Sequence, residues 1–281
     1  MSLRYGYVTN GLTSHRLDDA LALLADAGYE GVALTLDHVH FDPGAPDMPG
    51  RARELRARLD RYGLDPVVET GARFALDPHR KHWPTLAGEG RERRIRWIRS
   101  AIDVAHELEA PVVSIWSGAL GPDEDPAQAW RLLRSSCEEI VEHAAERGVR
   151  LGFEPEPGML VATIDDFESL DRQLGHPGAL GITLDLGHCV CLEPQPVGRC
   201  VERVSERLVH VHADDMRRGV HAHLMFGEGQ LDLPAALGAL RSCGYQGLVA
   251  VELSRHAHDA HNVVPRAIEA LRACELQEMA V

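Results

Sequence analysis

The chain has 281 residues, of which 44% are apolar, and a formal charge of −14 at pH 7. This length suits one (β/α)8 barrel, which needs about 250 residues. The N-terminus has no charged segment followed by a long apolar one, and no stretch approaches about 18 consecutive apolar residues. We therefore expect a cytoplasmic protein with no membrane partner. The excess of acidic groups also disfavours a nucleic-acid partner, because a polyanion would be repelled.

Two residue types limit the chemistry further. The six cysteines form no dense framework, so reduced thiols are expected. Lys81 is the only lysine among 29 basic residues, and it lies in a polar loop. Schiff-base and pyridoxal-phosphate enzymes require a lysine amine in the site, which disfavours both classes. The most basic stretch, from Arg91 to Arg99, is predicted to be the solvated face of a helix.

Short apolar runs alternate with segments of helical period along the whole chain. The helix candidates with the clearest pattern are Leu17–Ala27, Ile95–Leu108, Trp130–Ala145, Asp166–Leu174 and Leu233–Cys243. The strand candidates, each rich in Val, Ile or Leu, are Arg4–Thr9, Gly31–Leu36, Asp65–Glu69, Pro111–Trp116, Arg150–Glu154, Gly181–Asp185, Leu208–His212 and Leu248–Glu252. This alternation predicts an α/β fold with a single (β/α)8 TIM barrel as one domain over residues 1–281. An open doubly wound sheet is the alternative, but no G-x-G-x-x-G follows the first strand.

The last four predicted strands each end in a residue that can bind a metal ion. Strand five ends in Glu154, strand six in Asp185, strand seven in His212 and strand eight in Glu252. Neighbouring strand ends converge over the mouth of a barrel, where three carboxylates would repel one another without a cation. We therefore predict one divalent ion, with Mn²⁺ or Co²⁺ favoured and Zn²⁺ or Mg²⁺ as alternatives. Any one of these acids alone could instead be a helix cap or an ion-pair partner.

Four short phrases around these residues resemble the xylose-isomerase-like TIM barrel superfamily. The superfamily includes ketohexose epimerases, hydroxypyruvate isomerases, inosose and dehydroshikimate dehydratases, and apurinic-site endonucleases. The phrases are Gly-Phe-Glu154-Pro-Glu156-Pro, Thr-Leu-Asp185-Leu-Gly-His188, His210-Val-His212-Ala-Asp-Asp215 and Val-Ala-Val-Glu252-Leu. They are specific for the superfamily, but they do not distinguish its reactions.

The resemblance implies roles for particular residues. The four strand-end residues match the metal ligands of the epimerase branch, and two of them, Glu154 and Glu252, also match its acid/base pair. His188 matches a substrate-binding histidine, and Arg217 or Arg218 matches a substrate-contacting arginine. The implied reaction is isomerisation or epimerisation of a small polyhydroxylated carbonyl compound through a metal-stabilised enediolate. A dehydratase acting on a keto-cyclitol is the alternative, and a nuclease is disfavoured.

Departures from the nuclease branch support this order. Where that branch has metal-binding histidines after strands three and four, this chain has Glu69 and Trp116-Ser117. His221-Ala-His223 occupies the region of its Asp-x-His phrase and could bind a second ion or a substrate oxygen. We expect His223 to contact substrate and Trp116 to cover an apolar face of a sugar. The expected partner is a small-molecule substrate, and a homodimer or homotetramer are open alternatives.

Overall fold

Eight parallel strands close into a barrel in this computed structural model, which describes residues 2–278 and the side chains as far as Glu275. The order around the barrel is β1-β10-β7-β6-β5-β4-β3-β2. The barrel strands are β1 (Arg4–Val8), β2 (Gly31–Thr35), β3 (Asp65–Glu69), β4 (Val112–Ile115), β5 (Arg150–Phe153), β6 (Leu180–Asp185), β7 (Leu208–Ala213) and β10 (Leu248–Val251). The predicted single (β/α)8 barrel is therefore confirmed.

Helices cover the outside of the barrel. They are α1 (Leu17–Ala27), α2 (Met48–Tyr62), α3 (Arg91–Glu107), α4 (Pro126–Arg147), α5 (Ile164–Gln173), α6 (Leu186–Leu192), α7 (Val197–Val204), α8 (Leu233–Ser242) and α9 (Ala260–Glu278). All five predicted helices are present, and α4 begins earlier than predicted because Asp125 caps it by accepting from two backbone N–H groups. Within residues 2–278, no helix combines the length and the apolar character needed to cross a membrane.

The alternation of side chains along each strand separates two apolar layers. On β10, Val249 and Val251 pack outward against the helices, whereas Leu248 and Ala250 pack into the barrel. The inner layer consists of Val8, Ala33, Val67, Val112, Val209, Leu248 and Ala250, and Val8 also lines a cavity at the C-terminal end. By the same alternation, Glu252 follows Val251 on the inward face at this C-terminal end, so the strand period itself directs this carboxylate into the mouth.

A small antiparallel hairpin, β8 (Asp215–Arg217) and β9 (Val220–Leu224), follows β7 and lies outside the barrel sheet. The sequence did not predict it. The buried Asp215 carboxylate accepts hydrogen bonds from the backbone N–H groups of Gly227, Gly229 and Leu231 at 2.9, 2.9 and 2.8 Å. These bonds fasten the loop after the hairpin to the end of β7, and they hold the hairpin beside the barrel mouth.

Candidate metal centre

The four predicted ligand residues meet at the C-terminal end of the barrel. One ligand atom from each of Glu154, Asp185, His212 and Glu252 lies within 4.8 Å of the others. Nδ1 of His212 is 3.1 Å from Oε1 of Glu154 and 3.2 Å from Oε2 of Glu252. The structure thus brings together side chains that are as far as 98 residues apart in the chain, from Glu154 to Glu252.

The electrostatics of this group fit a bound cation. The pKa of Glu154 is raised to about 8, first by burial and also by the nearby carboxylates of Glu252 and Glu156, although His212 opposes the rise. Asp185 accepts from the backbone N–H of His188 through Oδ1 at 2.7 Å, but its buried Oδ2 has no hydrogen-bond partner in the described part of the chain. A buried carboxylate oxygen that lacks a hydrogen-bond partner and lies near other carboxylates has a high cost in free energy. Three oxygen donors and one imidazole are a ligand set that suits Mn²⁺, Co²⁺, Mg²⁺ or Zn²⁺.

Glu69 orients the histidine of this group. Its Oε1 accepts a hydrogen bond from Nε2 of His212 at 3.0 Å and lies 3.2 Å from Nε2 of the buried His210. Burial alone would raise the pKa of Glu69, but the two imidazoles hold it down at about 2. A carboxylate on the far nitrogen of a ligating histidine fixes the tautomer that presents the other nitrogen to a metal. We did not assign this role from the sequence, although Glu69 closes strand three as Glu154 closes strand five.

Asn10, which follows the neighbouring strand β1, orients the Glu252 carboxylate. It lies in the short 3₁₀ turn after β1, and its Nδ2 donates to Oε1 of Glu252 at 2.7 Å. The second oxygen of Glu252 therefore remains directed to His212. This contact was also missed from the sequence, because Asn10 and Glu252 approach only when the first and last strands of the barrel pair.

The side chains of Glu154, Asp185, His212 and Glu252 are called the metal group below. Three imidazoles lie beside it, on the side of the β8–β9 hairpin. Nδ1 of His188 donates to the Pro155 carbonyl at 3.1 Å, and its Nε2 is 3.2 Å from Nε2 of His221. His223 contacts the buried Asp214 carboxylate through Nδ1. His188, His221 and His223 form a further group whose ligand atoms lie within 4.8 Å of one another. These nitrogens can contact a substrate oxygen or hold a second ion.

Asp214 was not selected from the sequence. It is fully buried, and burial with the nearby Asp185 raises its pKa well above the usual range. Gly187 makes room for it, since a Cβ at that position would lie 1.9 Å from Oδ1 of Asp214. The glycine at the start of α6 is thus required by a close approach and not by its backbone angles.

The metal group opens into a cavity of about 660 Å³, lined by Glu154, His212 and Glu252 together with polar and aromatic side chains. Of the predicted substrate contacts, His188, His223 and Trp116 line this cavity. Arg217 does not. The hairpin turns its guanidinium to the exposed side, where it donates to the Glu228 carbonyl at 3.2 and 3.0 Å. The neighbouring Arg218 donates to the Glu193 carbonyl instead.

A closed parallel barrel with a buried carboxylate–imidazole group at its C-terminal end defines the class of protein: a TIM barrel with a candidate metal centre. The sequence profile of the xylose isomerase-like TIM barrel family matches residues 21–274, and the chain belongs to this family. The resemblance inferred from the four phrases is therefore confirmed.

Individual relatives are similar along most of the chain. The rhizopine catabolism protein MocC of Rhizobium meliloti is 30% identical over 273 residues, covering 87% of this chain and 77% of that protein. Fructoselysine 3-epimerase of Shigella flexneri is 24% identical, covering 96% of this chain and 98% of that one. Among solved structures, an L-ribulose 3-epimerase superposes with a TM-score of 0.78 at 17% identity, over 99% of this chain and 98% of its own, which shows a shared fold.

Proposed function

We propose that this protein is a metal-dependent isomerase or epimerase of a small polyhydroxylated carbonyl compound. The observation that carries the proposal is that Glu154 and Glu252 both approach one histidine nitrogen, at 3.1 and 3.2 Å from Nδ1 of His212. Two carboxylates that flank one ligand group at the foot of a cavity suit a reaction in which a proton is removed and returned. The epimerase named among the relatives supports the same class of reaction.

The chemistry follows from the two carboxylates. One removes the proton from the carbon between a carbonyl and a hydroxyl, and the other returns a proton. If the proton returns to the opposite face of the same carbon, the product is an epimer; if it returns to the neighbouring carbon, the product is the aldose or ketose isomer. A divalent ion held by Glu154, Asp185, His212 and Glu252 would supply Lewis-acid stabilisation of the negative charge on the substrate oxygens.

Other side chains would bind and orient the substrate. His188 and His223 line the cavity beside the metal group, where they would contact substrate hydroxyl groups. Trp116 lies in the cavity wall with 5% of its surface exposed, and its ring would offer an apolar face to a sugar. A cavity of about 660 Å³ lies within the size range of small-molecule sites.

Solvent exchange tests the proposal. Ketohexoses, inososes and three-carbon hydroxycarbonyls would be incubated with the Mn²⁺-loaded protein in deuterated water, and uptake of deuterium at carbon would be followed by NMR. We expect uptake with one substrate class, and a fall of about 10²-fold to 10⁴-fold in Glu154→Gln and in Glu252→Gln. Glu206→Gln, which changes an exposed carboxylate far from the cavity lining, is the matched control.

The outcomes are separable. Near wild-type exchange in either cavity variant, with the fold verified by circular dichroism, would remove that residue from the mechanism. A keto substrate converted into a product that absorbs in the ultraviolet would instead identify a dehydratase.

A further inference from the structure

One wall of the cavity carries two cations that form no close ion pair with a carboxylate among the described residues. Arg73 and Lys81 lie in the 70–90 loop between β3 and α3, and both line the cavity with exposed side chains. Neither is within 4.0 Å of a carboxylate oxygen anywhere in residues 2–275. Arg80, in the same loop but outside the lining, pairs with Asp77 at 3.4 Å. In this loop, the two cations that line the cavity are thus the ones without an ion-pair partner among the described residues.

The pKa of His82 shows that several positive charges lie close together at this loop. Burial lowers its pKa, and the charges of Lys81, Arg94 and Arg73 lower it further, to about 3. Three cations act on one imidazole. Because the chain as a whole carries a formal charge of −14, this local excess of positive charge opposes the overall balance. Because its pKa is so low, the His82 ring is neutral at pH 7 and adds no positive charge of its own.

Arg94 makes part of this charge permanent and rigid. Its buried guanidinium donates to the Pro84 carbonyl at 2.8 Å and to the His82 carbonyl at 3.1 Å, but its Nη1 has no partner among the described residues. It also stacks on Trp116, 4.9 Å from the ring centroid. A buried cation that is hydrogen-bonded only to carbonyl groups keeps an uncompensated charge, which is costly. The two hydrogen bonds to carbonyl groups hold the loop against this fixed positive charge. This differs from the solvated helix face predicted for Arg91–Arg99, because the loop folds over Arg94.

The two cations lie on the loop after β3, a strand that carries none of the four candidate metal ligands. In the barrel order, β3 is separated from β10 by β1 and β2, and from β5 by β4. Across the cavity, burial lowers the pKa of His221, and the charge of Lys81 lowers it further. The cavity therefore has a carboxylate group at its foot and two unpaired cations on the wall that the loop after β3 supplies, and Arg255, after β10, is a third cation in the lining.

We propose that Arg73 and Lys81 bind an anionic group, a phosphate or a carboxylate, that the substrate carries at the end remote from its reacting carbons. A guanidinium and an ammonium together make charge-assisted hydrogen bonds to either group. The claim rests on the proposed function, because it assumes that the reacting carbons lie at the metal group. It narrows the substrate class from polyhydroxylated carbonyl compounds in general to those that bear one negative charge or more.

The single lysine allows a direct binding test that needs no turnover. Reductive methylation with ¹³C-formaldehyde keeps the charge and labels only Lys81 and the N-terminal amine, whose signal is recognised by its titration near about pH 8. Inorganic phosphate and acetate would each be titrated while the Lys81 signal is followed by NMR. We expect a saturable shift that Arg73→Gln weakens by about tenfold in affinity and that Arg80→Gln, the matched control, leaves unchanged. A Lys81 signal that neither anion shifts would overturn the proposal.

Matched substrates then test its use in turnover. They are a neutral ketohexose, its terminal phosphate ester and the analogue with a terminal carboxylate, all followed by solvent exchange. We expect kcat/KM to favour one anionic member by about tenfold or more, and Lys81→Gln to reduce that preference. The preferred member identifies phosphate or carboxylate. An equal rate for all three would contradict the anion site while leaving the proposed function intact. A saturable Lys81 shift with no exchange of any substrate would contradict the proposed function while leaving the anion site intact.

Discussion

Charged groups at the two ends of the barrel are arranged in opposite ways. At the N-terminal end, Arg4 lies 3.8 Å from Glu30 and pairs more closely with Asp65, and the Arg4 and Asp65 side chains are 41% and 55% exposed. At the C-terminal end, Glu154 and Glu252 are drawn to one histidine nitrogen, and a buried oxygen of Asp185 has no described partner. Charges that satisfy one another stabilise a fold, whereas buried charges left in conflict indicate a site that is completed by a ligand.

The strongest test of this contrast is the pH dependence of metal binding. Without a cation, Glu154 has a pKa of about 8, raised first by burial. Burial alone would lower the pKa of His212, but the carboxylates of Glu69, Glu154 and Glu252 raise it well above its usual value. Both groups must lose a proton to bind metal, so affinity falls as pH falls through these values. Between pH 8 and pH 6 we expect Mn²⁺ affinity to drop by at least about 100-fold.

Titration calorimetry in buffers of different ionisation enthalpy would measure the affinity and count the protons released. Mn²⁺ binding that is independent of pH and releases no proton would show that these groups do not ligate the ion.

A smaller effect is expected from the second contact of His212. Glu69→Gln replaces the carboxylate that accepts from Nε2 with an amide, which leaves the other nitrogen less firmly directed to the metal. Loss of such a partner costs about 10–100-fold in metal affinity or activity. The measurement is Mn²⁺ affinity together with exchange activity. An unchanged affinity would mean that Glu69 is only a packing partner of His210 and His212.

The control for that variant lies at the other end of the same strand. Asp65 begins β3 and Glu69 ends it, so Asp65→Asn removes a carboxylate from the paired, exposed end. An exposed ion pair contributes about 0–1 kcal/mol, and we expect a change in the free energy of unfolding within that range with no change in metal affinity. Chemical denaturation and metal titration would measure both. A loss of Mn²⁺ affinity here would remove the distinction between the two ends.

The sequence predicted that the four side chains of the metal group converge, and the structure confirms it, because the information is local to each strand. Glu154, Asp185, His212 and Glu252 each stand at the point where an apolar run ends, and strand parity then directs them to one place. Asp214 and Asn10 were missed because their roles depend on which strands and turns become neighbours. Arg217 was expected at the substrate, but the unforeseen hairpin turns it to the Glu228 carbonyl. Loop conformation, which has no period in the sequence, decides such contacts.

The hydrogen bond between Asn10 and Glu252 has a consequence for assembly. Asn10 follows the first strand of the barrel and Glu252 follows the last, and these two strands pair only when the cylinder shuts. A partly folded chain in which β10 is not yet paired therefore has three of the four candidate ligands in place, but Glu252 is missing and the Asn10 amide has no carboxylate to orient. The metal binding that we propose would thereby be coupled to closure of the barrel, and a bound ion would stabilise the closed barrel relative to any partly formed one.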